Sequence, residues 1–219
     1  MLFHDSHETY FLLFQDLAFL PVEVFLISFI LEKYLESKEK QEKIRKIQIL
    51  VSAFYAEVGS PLIKNFLCFN TNLHKLKEEL AFKQDLTDFD KKRISEIVDR
   101  FDYEIDCLAG DMTALKDFMQ TKKAYILGMF ENPNLLEHDN FTDMLWSIYH
   151  VLDELENRDN LTGLPESDIA HLSLDIKRAY KLLIKEWVDY MAYLKNTYPY
   201  LFSLAMRKNP FANNEIIFK

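Results

Sequence analysis

The stretch FLLFQDLAFLPVEVFLISFIL, Phe11 to Leu31, decides how the rest of the chain is read. Its roughly 21 residues match the length an α-helix needs to cross a hydrocarbon core. It is rich in Leu, Phe, Ile and Val, each contributing about −0.3 to −0.6 kcal/mol to insertion. Glu23 lies near its middle and Asp16 nearer one end, and a central carboxylate opposes insertion by about 2.5 to 3.5 kcal/mol. With Gln15 and Pro21 added, the sum stands close to balance.

The flanks are more decisive. No Lys or Arg occurs from Met1 to Glu32, and Lys33, Lys38, Lys40, Lys43, Arg45 and Lys46 then follow in quick succession. Cations gather on the cytoplasmic side of a span, so the N-terminus is expected outside and everything after Lys33 in the cytoplasm. A basic n-region and a small-x-small cleavage site are both missing, so the stretch reads as a retained anchor rather than a cleaved leader. The localisation expected is the cell membrane, single-pass. The competing reading makes residues 11–31 a buried core helix of a soluble helical protein. Asp16 and Glu23 are seven apart and share one helix face, about 10 Å apart along the axis. A pair of acids inside a span suggests a proton- or ion-coupled oligomer as a further reading.

Composition narrows the function classes. Four Gly and six Pro in 219 residues argue against a turn-rich β protein, so the class expected is all-α. A net charge of −9 speaks against nucleic acid as a partner, because phosphate contact needs a basic surface. Cys68 and Cys107 are far apart and outside any CxxC pair, which reads as free thiols in a reducing cytosol.

Pro21 suits the first turn of a helix that runs on without a breaker to about Val58. Glu36/Lys40, Glu39/Lys43 and Glu42/Lys46 place Glu four residues before Lys, the favoured order on a solvated helix. Ile44, Ile47, Val51, Phe54 and Val58 then recur at spacings of three and four. This stripe has two available partners: the domain that follows, or the same stripe of a second copy in a short coiled coil. Gly59-Ser60-Pro61 reads as a break. The resulting plan is an N-terminal segment and membrane anchor (1–35), a charged stalk helix (36–60) and a cytoplasmic helical bundle (61–219).

Within the bundle, Leu73 to Phe82 and Phe89 to Phe101 read as helices, the latter capped by Thr87 or Asp88. DYEIDC (102–107) alternates polar and apolar residues, as a lone strand or an extended link would. Asp111 is an N-cap for a helix ended by Asn132-Pro133-Asn134. Asn140 is expected to cap the next helix, to about Glu156. The longest runs from Glu166 to about Thr197, and Pro199 ends it. The tail YPYLFSLAMRKNPF is too apolar to be free and is expected to dock on the bundle or the membrane surface.

One chemical constellation stands out. Asp143, His150 and Glu154 lie on one helix face, and Asp168, His171 and Asp175 on another. An antiparallel hairpin closed near residues 157–165 brings His150 and His171 to similar heights. Carboxylates and imidazoles facing one another across two helices are how bundles hold metals. A transition metal bound by His150, His171, Glu154 and Asp175 is therefore the one cofactor to consider, although the Glu-x-x-His pattern of di-metal bundles is not reproduced. Motifs for nucleotide binding, zinc proteolysis and serine hydrolysis are missing. An interaction or regulatory module fits better than an enzyme, with the lipid bilayer, a second copy or another protein as partner.

The stretches LFQDLAFLPVEV (13–24), FYAEVGS (54–60), ENPNLLEHDNFTDMLW (131–146), GLPESD (163–168) and YPYLFSLAMRKNPF (198–211) together resemble a family of uncharacterised prokaryotic proteins. The resemblance spans nearly the whole chain. It implies one N-terminal hydrophobic helix followed by a helical cytoplasmic domain. It also implies that relatives continue the helix Gly59-Ser60-Pro61 would kink. The family brings no activity, so no catalytic residue is carried over.

Overall fold

The computed structural model describes residues 6–80, 88–136 and 138–212 and is all-α. The chain divides into two compact units, Met1–Lys46 and Ile47–Lys219. Residues 47–60, read from the sequence as stalk, therefore group with the bundle. Thr87, one of the two expected caps, lies outside the described residues.

Helix α1 spans Ser6–Phe54. Pro21 is an interior residue of it and does not open it as expected. Its missing N–H removes one rung of the ladder, and the helix forms on both sides because the apolar run from Phe11 to Leu20 has no breaker of its own. Within the first unit the apolar side chains of α1 point outward on every side: Phe25 is 68% and Ile27 65% exposed. Every residue from 11 to 31 is exposed within this unit, whereas a core helix would bury its apolar side chains. Lys33 pairs with Glu36 at 2.7 Å, and Lys38 lies over the Tyr34 ring at 5.7 Å.

In the second unit the end of α1 changes character. Ile47, Val51 and Phe54 are buried, whereas Ile44, the first residue of the stripe, stays 47% exposed. Val58 is buried on the next turn, a π-helical segment, Tyr55–Gly59, which leads into α2 (Ser60–Leu67). Of the two partners open to the stripe, the chain's own bundle occupies it. Phe54 meets Phe141 edge-on at 5.3 Å.

The break expected at Gly59-Ser60-Pro61 does not occur. The π turn widens the helix by one residue, so Pro61 falls in the first turn of α2, where its N–H is not needed. Gly59 is obligatory here: a Cβ would come within 2.9 Å of the Phe54 ring and closer still to Tyr55.

The remaining helices are α3 (His74–Leu80), α4 (Asp88–Arg100), α5 (Met112–Phe130), α6 (Pro133–Leu136), α7 (Asp139–Glu156), α8 (Glu166–Thr197) and α9 (Pro199–Arg207). Asp111 caps α5 as expected, its carboxylate accepting from the Ala114 N–H at 2.9 Å. Helix α7 is capped by His138 rather than Asn140: the Nδ1 atom accepts from the Phe141 N–H at 3.3 Å. The DYEIDC link is extended and touches the end of α2 through one antiparallel bridge, Asn70 to Ile105. No strand forms among the described residues.

Helix α8 is the hub, packed against α2, α4, α7 and α9. It buries residues on nearly every side from Leu183 to Leu194, as a helix surrounded by others must. Tyr55 stacks on Tyr190 at 4.9 Å and donates its hydroxyl to the Leu183 carbonyl at 2.9 Å. The tail docks on the bundle: Phe202 and Phe211 are buried, Phe211 lies 5.2 Å from the Trp187 ring, and the Asn209 amide donates to the Leu80 carbonyl at 2.9 Å.

Candidate metal centre on helices α7 and α8

Helices α7 and α8 form the antiparallel hairpin the sequence suggests. The apolar faces of both, among them Ile148, Val151, Leu152, Leu172, Ile176 and Ala179, are buried, which fixes the register of the polar residues beside them. The Lys116 ammonium of α5 donates to the Arg158 carbonyl at 3.0 Å and steadies the turn.

His150 and His171 come together, with ring centroids 6.4 Å apart and planes nearly perpendicular. Both Nε2 atoms lie near one atom, Asp175 Oδ2, which is 3.4 Å from that of His150 and 3.2 Å from that of His171. Glu154 Oε1 is 3.8 Å from His171 Nε2. The nitrogens and the carboxylate oxygen of His150, His171 and Asp175 all lie within 4.8 Å of one another. Asp175 is 3% exposed, and its Oδ2 accepts no hydrogen bond.

Two arginines complete the cluster. Arg178 holds the other oxygen of Asp175, Oδ1, at 3.3 Å. Arg158 holds the other oxygen of Glu154, Oε2, at 2.7 Å and also donates to the Glu154 carbonyl. This hydrogen bond keeps the Glu154 carboxyl below its ordinary range. His150 and His171 are about half exposed, so an ion could reach them from solvent. Of the other residues singled out in the sequence, Asp143 is exposed, and Asp168 faces Arg158 Nε at 3.9 Å. Asp16 and Glu23 lie exposed on α1.

Features the sequence did not disclose lie elsewhere in the bundle. Glu186 is buried on α8 with its Oε1 unpartnered, and Gln48 Oε1 is in the same condition. Both line a cavity of about 350 Å³ with Lys91, Asp189 and His138. Burial, and then the neighbouring Asp189 carboxylate, push Glu186 up to about 7, against the opposing pull of Lys185 and Lys91. An apolar groove of about 630 Å³ runs between residues 52–64 and α9, floored by Trp187 and Tyr190. Cys68 and Cys107 are both free, as the sequence suggests.

Fold and cluster define a class: a helical bundle whose chain also carries one N-terminal helix long and apolar enough to cross a membrane. The chain belongs to the MJ1433 family. Residues 43–207 match the family described as "Uncharacterized protein MJ1433, C-terminal helical domain", and residues 1–35 match "MJ1433, N-terminal helical domain". It is 40% identical over 209 residues to "Uncharacterized protein MJ1433" of Methanocaldococcus jannaschii, a match covering 95% of this chain and 83% of that protein. No solved structure matches. The resemblance drawn from the sequence is therefore shown, to a helical, uncharacterised family with an archaeal member.

Proposed function

We propose that the protein is a single-pass membrane protein that holds a helical bundle at the cytoplasmic face, where it serves as a membrane-tethered interaction or regulatory module. The observation that carries the reading is in the first unit. The most apolar 18-residue window of the N-terminal helix has mean hydropathy 1.8, and none of it is buried by protein. A surface of exposed Phe, Leu, Ile and Val on every side of a helix is unfavourable in water by roughly 25 cal/mol per Å². The solvent that suits it is hydrocarbon, where a helix also satisfies its own backbone. The lack of cations before Lys33 and their density after it support an outside N-terminus.

Two measurements test this. After a carbonate wash, native membranes should retain the full chain, and detergent should release it. Recovery in the aqueous phase without detergent would end the proposal. For orientation, exposed Cys68 is a built-in reporter. A membrane-impermeant maleimide should label a Ser6→Cys variant on intact cells at the new thiol, and should reach Cys68 only after permeabilisation. The reverse pattern would invert the topology.

A further inference from the structure

We infer that His150, His171 and Asp175 form a binding site for a divalent first-row transition ion, with Glu154 as a fourth ligand. The inference stands apart from membrane tethering, since every residue it uses lies on the α7–α8 hairpin.

The geometry is the first support. A tetrahedral ion about 2.0–2.1 Å from its ligands sets those ligands about 3.3–3.4 Å apart. The two imidazole nitrogens stand 3.4 and 3.2 Å from Asp175 Oδ2. Two neutral imidazoles and a carboxylate are a donor set that suits zinc, iron, cobalt or nickel, and Glu154 supplies the fourth position of a tetrahedral site.

The second support is the state of Oδ2. A carboxylate oxygen withdrawn from water and given no donor is expensive. Oδ2 is in that state although two imidazoles are close, because neither ring presents an N–H to it in hydrogen-bonding geometry. A cation between the three atoms resolves this, with each nitrogen donating its lone pair to the ion rather than a proton to the oxygen.

The third support is the division of labour within each carboxylate. Arg178 takes Oδ1 of Asp175 and leaves Oδ2 to the imidazoles; Arg158 takes Oε2 of Glu154 and leaves Oε1 toward His171. Partners of this kind fix the orientation of ligating carboxylates. The two guanidinium charges also weaken attraction for a dication, so the site should hold its ion less tightly than a structural thiolate site would.

The test uses the full chain in detergent, stripped with a chelator and then titrated with Zn²⁺, and separately with Co²⁺. Zinc should bind in equimolar amount, and Co²⁺ should give the intense visible absorption of a low-coordinate N/O site. Replacing both histidines, H150Q with H171Q, should weaken zinc binding by about 100-fold and abolish the Co²⁺ band; E154Q should weaken it by about 10-fold. Both histidines are half exposed, so the helical circular dichroism should be unchanged, and the single variant H171Q gives the same reading should the double variant unfold. Failure to bind zinc, or binding unaffected by H171Q, would overturn the inference and leave the cluster a histidine–carboxylate ion-pair network.

Discussion

The two ends of helix α1 meet the same requirement by different means. From Phe11 to Leu31 nearly every position is apolar, and the side chains are exposed all round. From Ile47 to Phe54 one stripe, Ile47, Val51 and Phe54, is covered by the bundle, while Ile49 stays exposed. A helix that is apolar on all sides needs an apolar environment on all sides, whereas a striped one needs a single protein face. The pattern, more than the amount of hydrophobicity, distinguishes a helix suited to lipid from one suited to a core.

The largest test of that contrast is charge in the first region. Arginine at both Phe25 and Ile27 opposes insertion by about 5–7 kcal/mol in sum. Against a near-balanced segment this should abolish flotation of the full chain with lipid vesicles on a density gradient. Continued flotation would mean that something other than residues 11–31 holds the chain to lipid.

Next in size is a matched pair of truncations. Phe54→Ala removes a fully buried ring packed on Tyr55 and Phe141 and should cost about 3–5 kcal/mol in denaturant unfolding of the detergent-solubilised chain. Phe25→Ala should cost less than about 0.5 kcal/mol in the same assay, as surface changes do. Similar losses at the two positions would erase the distinction between the regions.

The bundle also buries a carboxylate on α8. Glu186 titrates near 7 in the fold, raised from an ordinary 4.5. Its protonated form is the one the fold favours. The associated stability is therefore fully present below about pH 4.5 and is lost as pH rises through about 7. Relative to Glu186→Gln, the wild-type chain should lose on the order of 2–3 kcal/mol across that window. Parallel pH profiles of the two proteins would refute the assignment.

The smallest effects come from two glycines. Gly59→Ala forces a Cβ into the rings of Phe54 and Tyr55 and should cost about 1–3 kcal/mol. Gly128 is an exposed interior position of α5 with open space around it, so Gly128→Ala should raise stability by about 0.5–1 kcal/mol. Urea midpoints of the two variants should shift in opposite directions.

Much of this was readable from residue order. Pro165 and Pro199 bracket α8, and Asp111 caps α5, because these signals act through local backbone chemistry. The pairing of His150 with His171 followed from counting helical turns away from a short loop. The cap at His138 was missed because an imidazole nitrogen serves there in place of the usual carboxylate or hydroxyl. Arg158 and Arg178 escaped notice because which oxygen a guanidinium takes depends on side-chain rotamers that spacing does not specify. Gly59-Ser60-Pro61 misled because a break signal describes an ordinary α-helix, and the chain answers it with a wider turn.

That wider turn has a consequence for every residue after it. Each residue of an α-helix advances the side-chain direction by about 100°. The extra residue held in Tyr55–Gly59 resets the angular phase of the helix by one such step. Leu62, four residues after Val58, would face inward in a regular α-helix as well, whereas Ile63 and Phe66 are brought to the buried side by that offset. Excising one residue from the segment would make the backbone more regular and rotate Ile63 and Phe66 away from the core. In this fold, hydrogen-bond irregularity at one turn keeps two hydrophobic surfaces in register.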